Sequence, residues 1–332
     1  MWSMNSMSDS NRSDEQTVLG VEIGGTKLQV GYGTVSGKLW RLWRCHARPH
    51  GGARAILGDV YGLLGQALRH AAEHDWPKPG AIGIGFGGPV DAVRGATLIS
   101  HQVDGWKDYP LVQDFSQRFD LPVRLENDAS TAALAEATLG GGKGFKRVFY
   151  VTVGSGIGGG WVLNGGLDPG QGIGMAEIGH LACQDEQGRW VRLEDVASGW
   201  GIQAHARRQL EREPEAGATL LQAAGGDPSK ITTEEIARCA ARGDDFSLRM
   251  LGYGAEYLGW GLANMITLLA PDRVVIGGGV ALAGESYWRM LQESVERHVF
   301  HLFRGRYELV PSELGENVVV AGALLVAGAR LP

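Results

Sequence analysis

Three glycine-rich turns, each following a short apolar run, constrain this chain more than any other feature of its sequence. They are Gly24-Gly25-Thr26-Lys27, the stretch from Gly154 to Gly160, and Gly277-Gly278-Gly279. A strand that ends in such a turn presents backbone N–H groups to a ligand, and a side chain on the turn would block a phosphate from reaching them. A single turn of this kind reads first as a β-hairpin. Three in one chain, one with Lys27 and two with a hydroxyl residue (Thr26 and Ser155), point to a polyphosphate ligand. None fits GxxxxGK[ST]. Gly154 to Gly159 fits GxGxxG by letters, but strand-like WVLNG follows where a dinucleotide fold needs a helix.

The runs between the turns have the grammar of an α/β fold. TVLGVEI and KLQVGY read as strands either side of the first turn, and Ala53 to His74 as a helix with Ile56, Val60, Leu63, Leu64, Ala67 and Leu68 at helical spacing. AIGIGF reads as a buried strand ending in Gly-Gly-Pro. PVRLEND leads from a strand into a helix over 129–139 that stops at Gly140-Gly141-Gly142. RVFYVTVGSGIGGGWVLNG then repeats the architecture of the first segment without its letters. A helix-rich stretch covers 199–269, PDRVVIGGGVAL reads as strand, turn and helix, and the chain closes on strand-like ENVVV and a small-residue helix, AGALLVAGAR.

Bulk properties exclude several classes. The chain has 332 residues, 44% of them hydrophobic and 20% charged, which suits a globular protein of about two domains. A net charge of -6 argues against nucleic acid or an anionic membrane as partner. Cys45, Cys183 and Cys239 form no CxxC pair, so no disulfide framework and a cytoplasmic location are expected. No leader opens the chain, no apolar run reaches the roughly 18 residues of a membrane helix, and residues 1–16 read as a disordered polar tail.

Three groups carry candidate chemistry. Asn127 and Asp128 follow Glu126 at a strand-to-helix junction. They read either as helix caps or, for Asp128, as a general base that accepts a hydroxyl proton in phosphoryl transfer. Glu177 and His180 lie three residues apart in a glycine-rich stretch, and their paired acceptor and donor groups suit a polyol. Glu194 is a further carboxylate of that kind or an ordinary surface residue. A tetrahedral zinc site wants more Cys or His than Cys183 alone supplies.

Taken together, these segments resemble the ROK family of repressors and sugar kinases from about Val18 to Ala329. EIGGTK (Glu22 to Lys27) is similar to the family's first phosphate motif, IGFGGPVD (Ile84 to Asp91) to its GxPGxVD turn, and DGWKDYPL (Asp104 to Leu111) to its GWxxxPL segment. LENDASTAALAE (Leu125 to Glu136) resembles ENDANAAALAE. VGSGIGGGWVLNG (Val153 to Gly165), GMAEIGH (Gly174 to His180) and VVIGGGV (Val274 to Val280) are similar to the second phosphate motif, the AGExGH sugar motif and the adenosine-side turn.

The resemblance implies two actin-like, ribonuclease H-like α/β domains with an interdomain cleft, over 17–129 completed by 318–332, and over 130–317. It implies an ATP-dependent hexose kinase, glucokinase-like and acting on O6, with ATP and Mg2+ as cofactors and a homodimeric assembly. Asp128 would be the base, and Asn127, Glu177, His180 and Glu194 would hold sugar hydroxyls. Gly24, Gly25, Thr26, Lys27, Gly154, Ser155, Gly156, Gly278 and Gly279 would line the ATP site. An N-acetylhexosamine kinase or a catalytically weak sugar sensor are the alternatives, and polyphosphate is an alternative donor, with Lys143, Lys146 and Arg147 a basic cluster that would touch it or lie solvated.

Three departures from the family pattern stand out. Glu22 replaces the usual Asp, placing its carboxylate, a possible magnesium contact, about an ångström further out. LACQDEQGRWVR replaces the cysteine-rich zinc loop, so no structural zinc is expected. Gln102 stands where relatives have Asn. The roughly 16 residues before the first strand leave no room for a helix-turn-helix, so direct DNA binding is not expected.

Overall fold

The computed structural model describes residues 15–99 and 103–329, so most of the expected tail and Gln102 lie outside the described residues. The chain divides into two compact units, one of residues up to Thr131 together with those from Asn317, the other spanning Ala132–Glu316.

In the first unit the chain runs β1 (Thr17–Ile23), β2 (Lys27–Thr34), β3 (Leu39–His46), α1 (Gly52–Glu73), β4 (Ile82–Phe86), a small hairpin of β5 (Val90–Asp91) and β6 (Ala96–Thr97), α2 (Leu111–Phe119) and β7 (Val123–Asn127). The main sheet has the order β3-β2-β1-β4-β7. β3, β2 and β1 pair antiparallel, while β1, β4 and β7 run parallel. Alternation along the strands gives this sheet two unlike faces. Leu19, Val21, Val30, Tyr32, Ile82, Ile84 and Phe86 share a core with Ile56, Val60, Leu63 and Leu64 of α1, each full burial contributing roughly 1.5–3 kcal/mol. The intervening positions are Gly20, Gly31, Gly33, Gly83 and Gly85, and against them lies the C-terminal helix (Val318–Gly328). A Cβ on Gly83 would sit 1.9 Å from the Ala323 carbonyl oxygen, and one on Gly20 2.7 Å from that of Val320. No side chain larger than hydrogen fits there.

This packing corrects one expectation. Val318-Val319-Val320 reads as a strand by β-branched propensity, yet it forms the first turn of that helix. Burial of the helix on the glycine face outweighs the few tenths of a kcal/mol per residue that propensity sets against it.

The second unit opens in the middle of α3 (Asp128–Leu139) and continues with β8 (Arg147–Val153), β9 (Ile157–Leu163), β10 (Gly166–Leu167), the hairpin β11 (Ala182–Gln184) and β12 (Trp190–Arg192), α4 (Leu193–Ala197), α5 (Gly199–Arg212), α6 (Ala218–Ala223), α7 (Thr233–Ala240), α8 (Asp245–Leu269), β13 (Arg273–Gly277), α9 (Glu285–His298) and β14 (Glu308–Pro311). Its sheet order, β10-β9-β8-β13-β14, repeats the form of the first: an antiparallel ribbon that continues into parallel strands. The turn after β13 leads into a short 3-10 segment, Gly279–Leu282, where an ordinary helix was expected. Long α8 organises the core, burying Met250, Leu251, Leu258, Leu262 and Ile266. Among the described residues no helix is long and apolar enough to cross a membrane.

Within that core, His205 of α5 is only 3% exposed. Its ring stacks on Tyr253 of α8, with centroids 3.6 Å apart and planes 4° from parallel. Burial, with smaller contributions from Arg208 and Arg212, pushes its pKa down from 6.5 to about 4. The unfolded chain therefore binds a proton that the folded one refuses between these values, and stability falls as pH drops through that window. The loss approaches roughly 3 kcal/mol at its lower end. We expect His205→Gln to flatten the decline in urea-unfolding stability between pH 6.5 and 4 relative to the parent chain; parallel profiles would exclude His205 as the cause.

Candidate functional site

Parallel pairing sets the carboxyl ends of β1, β4 and β7 level, with Ile23, Phe86 and Asn127 in one row. Ligand sites of α/β sheets form at such ends. After Ile23 the Gly24 N–H donates to the Lys27 carbonyl at 3.1 Å and closes the first glycine turn. The Ala47 N–H donates to the Thr26 carbonyl at 2.9 Å, anchoring the turn from the side while the Thr26 side chain stays exposed. Glu22, nearly buried, pairs with Lys27 Nζ at 3.4 Å.

After Phe86 comes Gly87, whose N–H donates to the Ile23 carbonyl at 2.8 Å. A Cβ here would lie 3.2 Å from that oxygen, 3.3 Å from Gly24 Cα and 3.5 Å from Asp128 Oδ2. Gly87 thus brings the first glycine turn and the Asp128 carboxylate to either side of one small residue. It was not among the residues singled out from the sequence, although the Gly-Gly-Pro that closes β4 carried the signal.

The two readings of the Asn-Asp pair divide between its members. Asn127 Oδ1 accepts from the N–H groups of Ala129 (2.9 Å) and Ser130 (3.2 Å), and its Nδ2 donates to the Gly88 carbonyl at 3.1 Å. Asn127 is therefore the cap, with one amide hydrogen left for a ligand. Asp128 opens α3, where aligned N–H dipoles favour negative charge, and its Oδ1 accepts from the Ala129 N–H at 2.8 Å. Behind them, burial pushes the Glu126 carboxyl up, partly offset by the Asn127 N–H donated to it.

In the second unit, parallel β8 and β13 set the other two glycine turns side by side, Thr152 opposite Gly277. Gly278, at φ +86°, has backbone atoms of Val153 within 2.4–2.6 Å of where a Cβ would be. The Gly154 N–H donates to the Gly156 carbonyl (2.9 Å), and the Gly199 N–H at the start of α5 donates to the Gly154 carbonyl (2.7 Å). Ser198 caps α5 through the Gly201 N–H, and Thr233 Oγ1 donates to the Gly199 carbonyl at 3.0 Å. Ser155 and Gly279 are left open, Ser155 exposed and Gly279 with nothing within 4 Å of a Cβ. Gly199, with Ser198 and Thr233 placed around it, supports this turn and was missed in the sequence, because its partner Gly154 lies more than forty residues upstream.

Glu177 and His180 flank a 3-10 turn, Ile178–His180, that lies directly on β9. Two glycines permit the approach: a Cβ on Gly159 would stand 2.3 Å from the Ala176 carbonyl oxygen, and one on Gly179 2.2 Å from that of Ile157. Ala176 adopts φ +68°, a conformation that costs an L-residue about 1–2 kcal/mol and that holds Glu177 at the open side, where its side chain is exposed. Glu194 of α4 comes beside the second glycine turn, its Oε2 3.0 Å from a Cβ on Gly156, while Arg192 Nη1 pairs with its Oε1 at 2.7 Å. Arg192, and more weakly His180, hold the neighbouring Asp195 carboxyl below its usual value.

The hairpin β11–β12 occupies the place of the cysteine-rich loop, with the Cys183 thiol buried and pushed up by that burial. In the basic cluster, Arg147 donates to the Leu269 carbonyl at 3.0 Å, while Lys143 and Lys146 are exposed. Carboxylate oxygens such as those of Glu22 are the hard donors that magnesium takes, so the residues at the first turn fit that ion.

Residues 18–330 match the profile of the ROK family. A glucokinase from Halalkalibacterium halodurans is 31% identical over 316 residues, 93% of this chain and 94% of the relative. A ROK family glucokinase from Streptomyces griseus, solved with glucose and AMPPNP, superimposes with a TM-score of 0.78 at 29% identity, covering 94% and 99% of the two chains. ROK hexokinase from Thermus thermophilus gives 0.76 at 32% identity, covering 94% and 98%. The actin-like architecture, the paired glycine turns and the match over nearly its whole length place the chain in one group: it belongs to the ROK family.

Proposed function

We propose that this chain is an ATP-dependent hexose kinase that moves the γ-phosphoryl group of ATP to a sugar hydroxyl, with glucose and its O6 as the first acceptor to test. The observation that carries the reading is the placement of the Asp128 carboxylate and the Gly24 turn on either side of Gly87, 3.5 and 3.3 Å from its Cβ position. A kinase needs a base for the acceptor hydroxyl and a backbone cradle for the donor phosphates close together, and little covalent chemistry besides.

In this mechanism the Asp128 carboxylate accepts the proton of the attacking hydroxyl as its oxygen bonds to phosphorus and the bond to the β-phosphate oxygen breaks. Asn127 offers its remaining amide hydrogen to the sugar. Glu177 and Glu194 accept from sugar hydroxyls, and His180 serves as a further polar contact. The N–H groups of Gly25, Thr26, Ser155, Gly156 and Gly279, with Gly154 and Gly278 holding their turns in shape, bind phosphate oxygens. Magnesium, held through the phosphates with Glu22 close to them, would neutralise charge on the transferring group. The family resemblance further supports a cytoplasmic homodimer.

A second reading, a sugar sensor with weak catalysis, is favoured by one observation: Glu22 replaces a shorter carboxylate and is tied to Lys27. An N-acetylhexosamine kinase differs only in the acceptor.

An ADP-release assay with magnesium-ATP and a panel of glucose, mannose, fructose, N-acetylglucosamine and N-acetylmannosamine separates the three. Turnover with one sugar names the acceptor, whereas sugar binding without turnover selects the sensor. In the kinase, Asp128→Asn lowers kcat by about 10²–10⁴ and leaves the calorimetric sugar Kd within a few-fold; unchanged turnover would remove Asp128 from its role. Glu22→Asp raises kcat, by up to about a hundredfold if misplacement by an ångström is the liability, with little effect on sugar affinity. An equal or lower kcat would show that the surrounding residues are matched to Glu.

A further inference from the structure

The carboxyl-terminal end of α1 carries a cluster that the kinase reading does not use. His70, Glu73 and His74 stand at positions i, i+3 and i+4, so helical geometry puts them on one face. One donor atom from each lies within 4.8 Å of the other two, the one such group of three among the described residues. The side chain of His70 is half-buried, and those of Glu73 and His74 are exposed.

The hydrogen bonds fix which ring atoms are available. His74 Nδ1 lies 2.8 Å from the His70 carbonyl oxygen. A carbonyl only accepts, so Nδ1 carries the hydrogen and the Nε2 lone pair of His74 faces outward. This is how metal-binding imidazoles are oriented, with the second nitrogen donating to a carbonyl. His70 Nε2 lies 3.0 Å from Arg41 Nη1. A guanidinium only donates, so His70 presents a lone pair that already attracts a cation. Arg41 is an exposed side chain of β3 and can yield that place. The rings of Trp43 and Trp76, with centroids 5.7 and 5.0 Å from that of His70, hold the imidazole in position. The helix terminus itself favours positive charge.

We propose that His70, Glu73 and His74 bind one divalent transition-metal ion. Two imidazoles and one carboxylate suit zinc, nickel or cobalt, whereas magnesium and calcium prefer oxygen alone. The same His-x-x-Glu-His spacing on a helix serves zinc in metallopeptidases; here it supplies binding on an open surface, with water completing the coordination. The site lies apart in sequence and chemistry from the residues assigned to phosphoryl transfer, so it stands or falls independently of that reading.

Calorimetric titration of the metal-stripped full chain with zinc, in the presence of millimolar magnesium, tests the proposal. The expected result is one ion per chain, with affinity at least tenfold weaker in His74→Ala and in His70→Ala and unchanged in Cys45→Ser. His74 is exposed, so its substitution should leave the metal-free melting temperature in place, and His74→Gln provides a second variant that keeps the side-chain volume. Absence of zinc binding, affinity that survives both histidine changes, or affinity lost with Cys45 and retained without His74 would overturn it.

Discussion

The close approach of the C-terminal helix to the glycine face of the first sheet is the constraint on which that unit rests. Carbonyl oxygens of the helix stand where Cβ atoms of Gly20 and Gly83 would be, and a side-chain methyl of Val320 stands where that of Gly31 would be. The helix keeps to its own side of the bargain with Ala321, Gly322 and Ala323, and Gly322 meets the Thr131 carbonyl oxygen at the start of α3. Because one face is taken by backbone contact, the other carries nearly all the large side chains, and α1 covers them. The strands are thereby held level, and their level ends put Ile23, Phe86 and Asn127 in the row from which the first glycine turn and Asp128 project.

A buried carboxylate does comparable work in the second unit. Glu136, 0% exposed, accepts from the N–H groups of Gly141 (2.9 Å), Glu313 (3.1 Å) and Leu314 (3.0 Å) and from the Ser312 hydroxyl. A charge this deeply buried is stable only with such a set of donors. It joins the segment just after the chain enters the unit to the segment just before it leaves, so both connections are fixed at one point.

Much of the candidate site was legible because it is local. A turn of Gly24-Gly25-Thr26-Lys27, a junction of Asn127 and Asp128, and the Gly277 to Gly279 turn after β13 each show their chemistry within a few consecutive letters. The alternation I-G-I-G of β4 was visible too, but read alone it suggests only a buried strand. That its glycines admit a helix from the far end of the chain depends on contacts some 240 residues apart in sequence. For the same reason the valines at 318–320 read as strand: propensity is local, and the burial that overrides it is not. Gly87 and Thr233 were overlooked because their roles lie in what they stand next to. The glycine-rich turns drew a phosphate reading from the sequence, whereas Gly20, Gly31, Gly83, Gly159, Gly179 and Gly322 serve close packing.

The position of the C-terminal helix has a consequence for synthesis. β1 is made long before the helix that covers its glycine face, which begins at Val318. At ribosomal rates of about 5–20 residues per second, the roughly 300 residues between them take about 15–60 s. Through that interval the first sheet has strands and α1 but a bare furrow of main chain along its other face. A nascent chain in this state offers a groove that fits any small-residue helix, its own or a neighbour's. The first unit is therefore completed only after the second has been made, and a chain stopped short of residue 318 has its second unit whole and its first unit open.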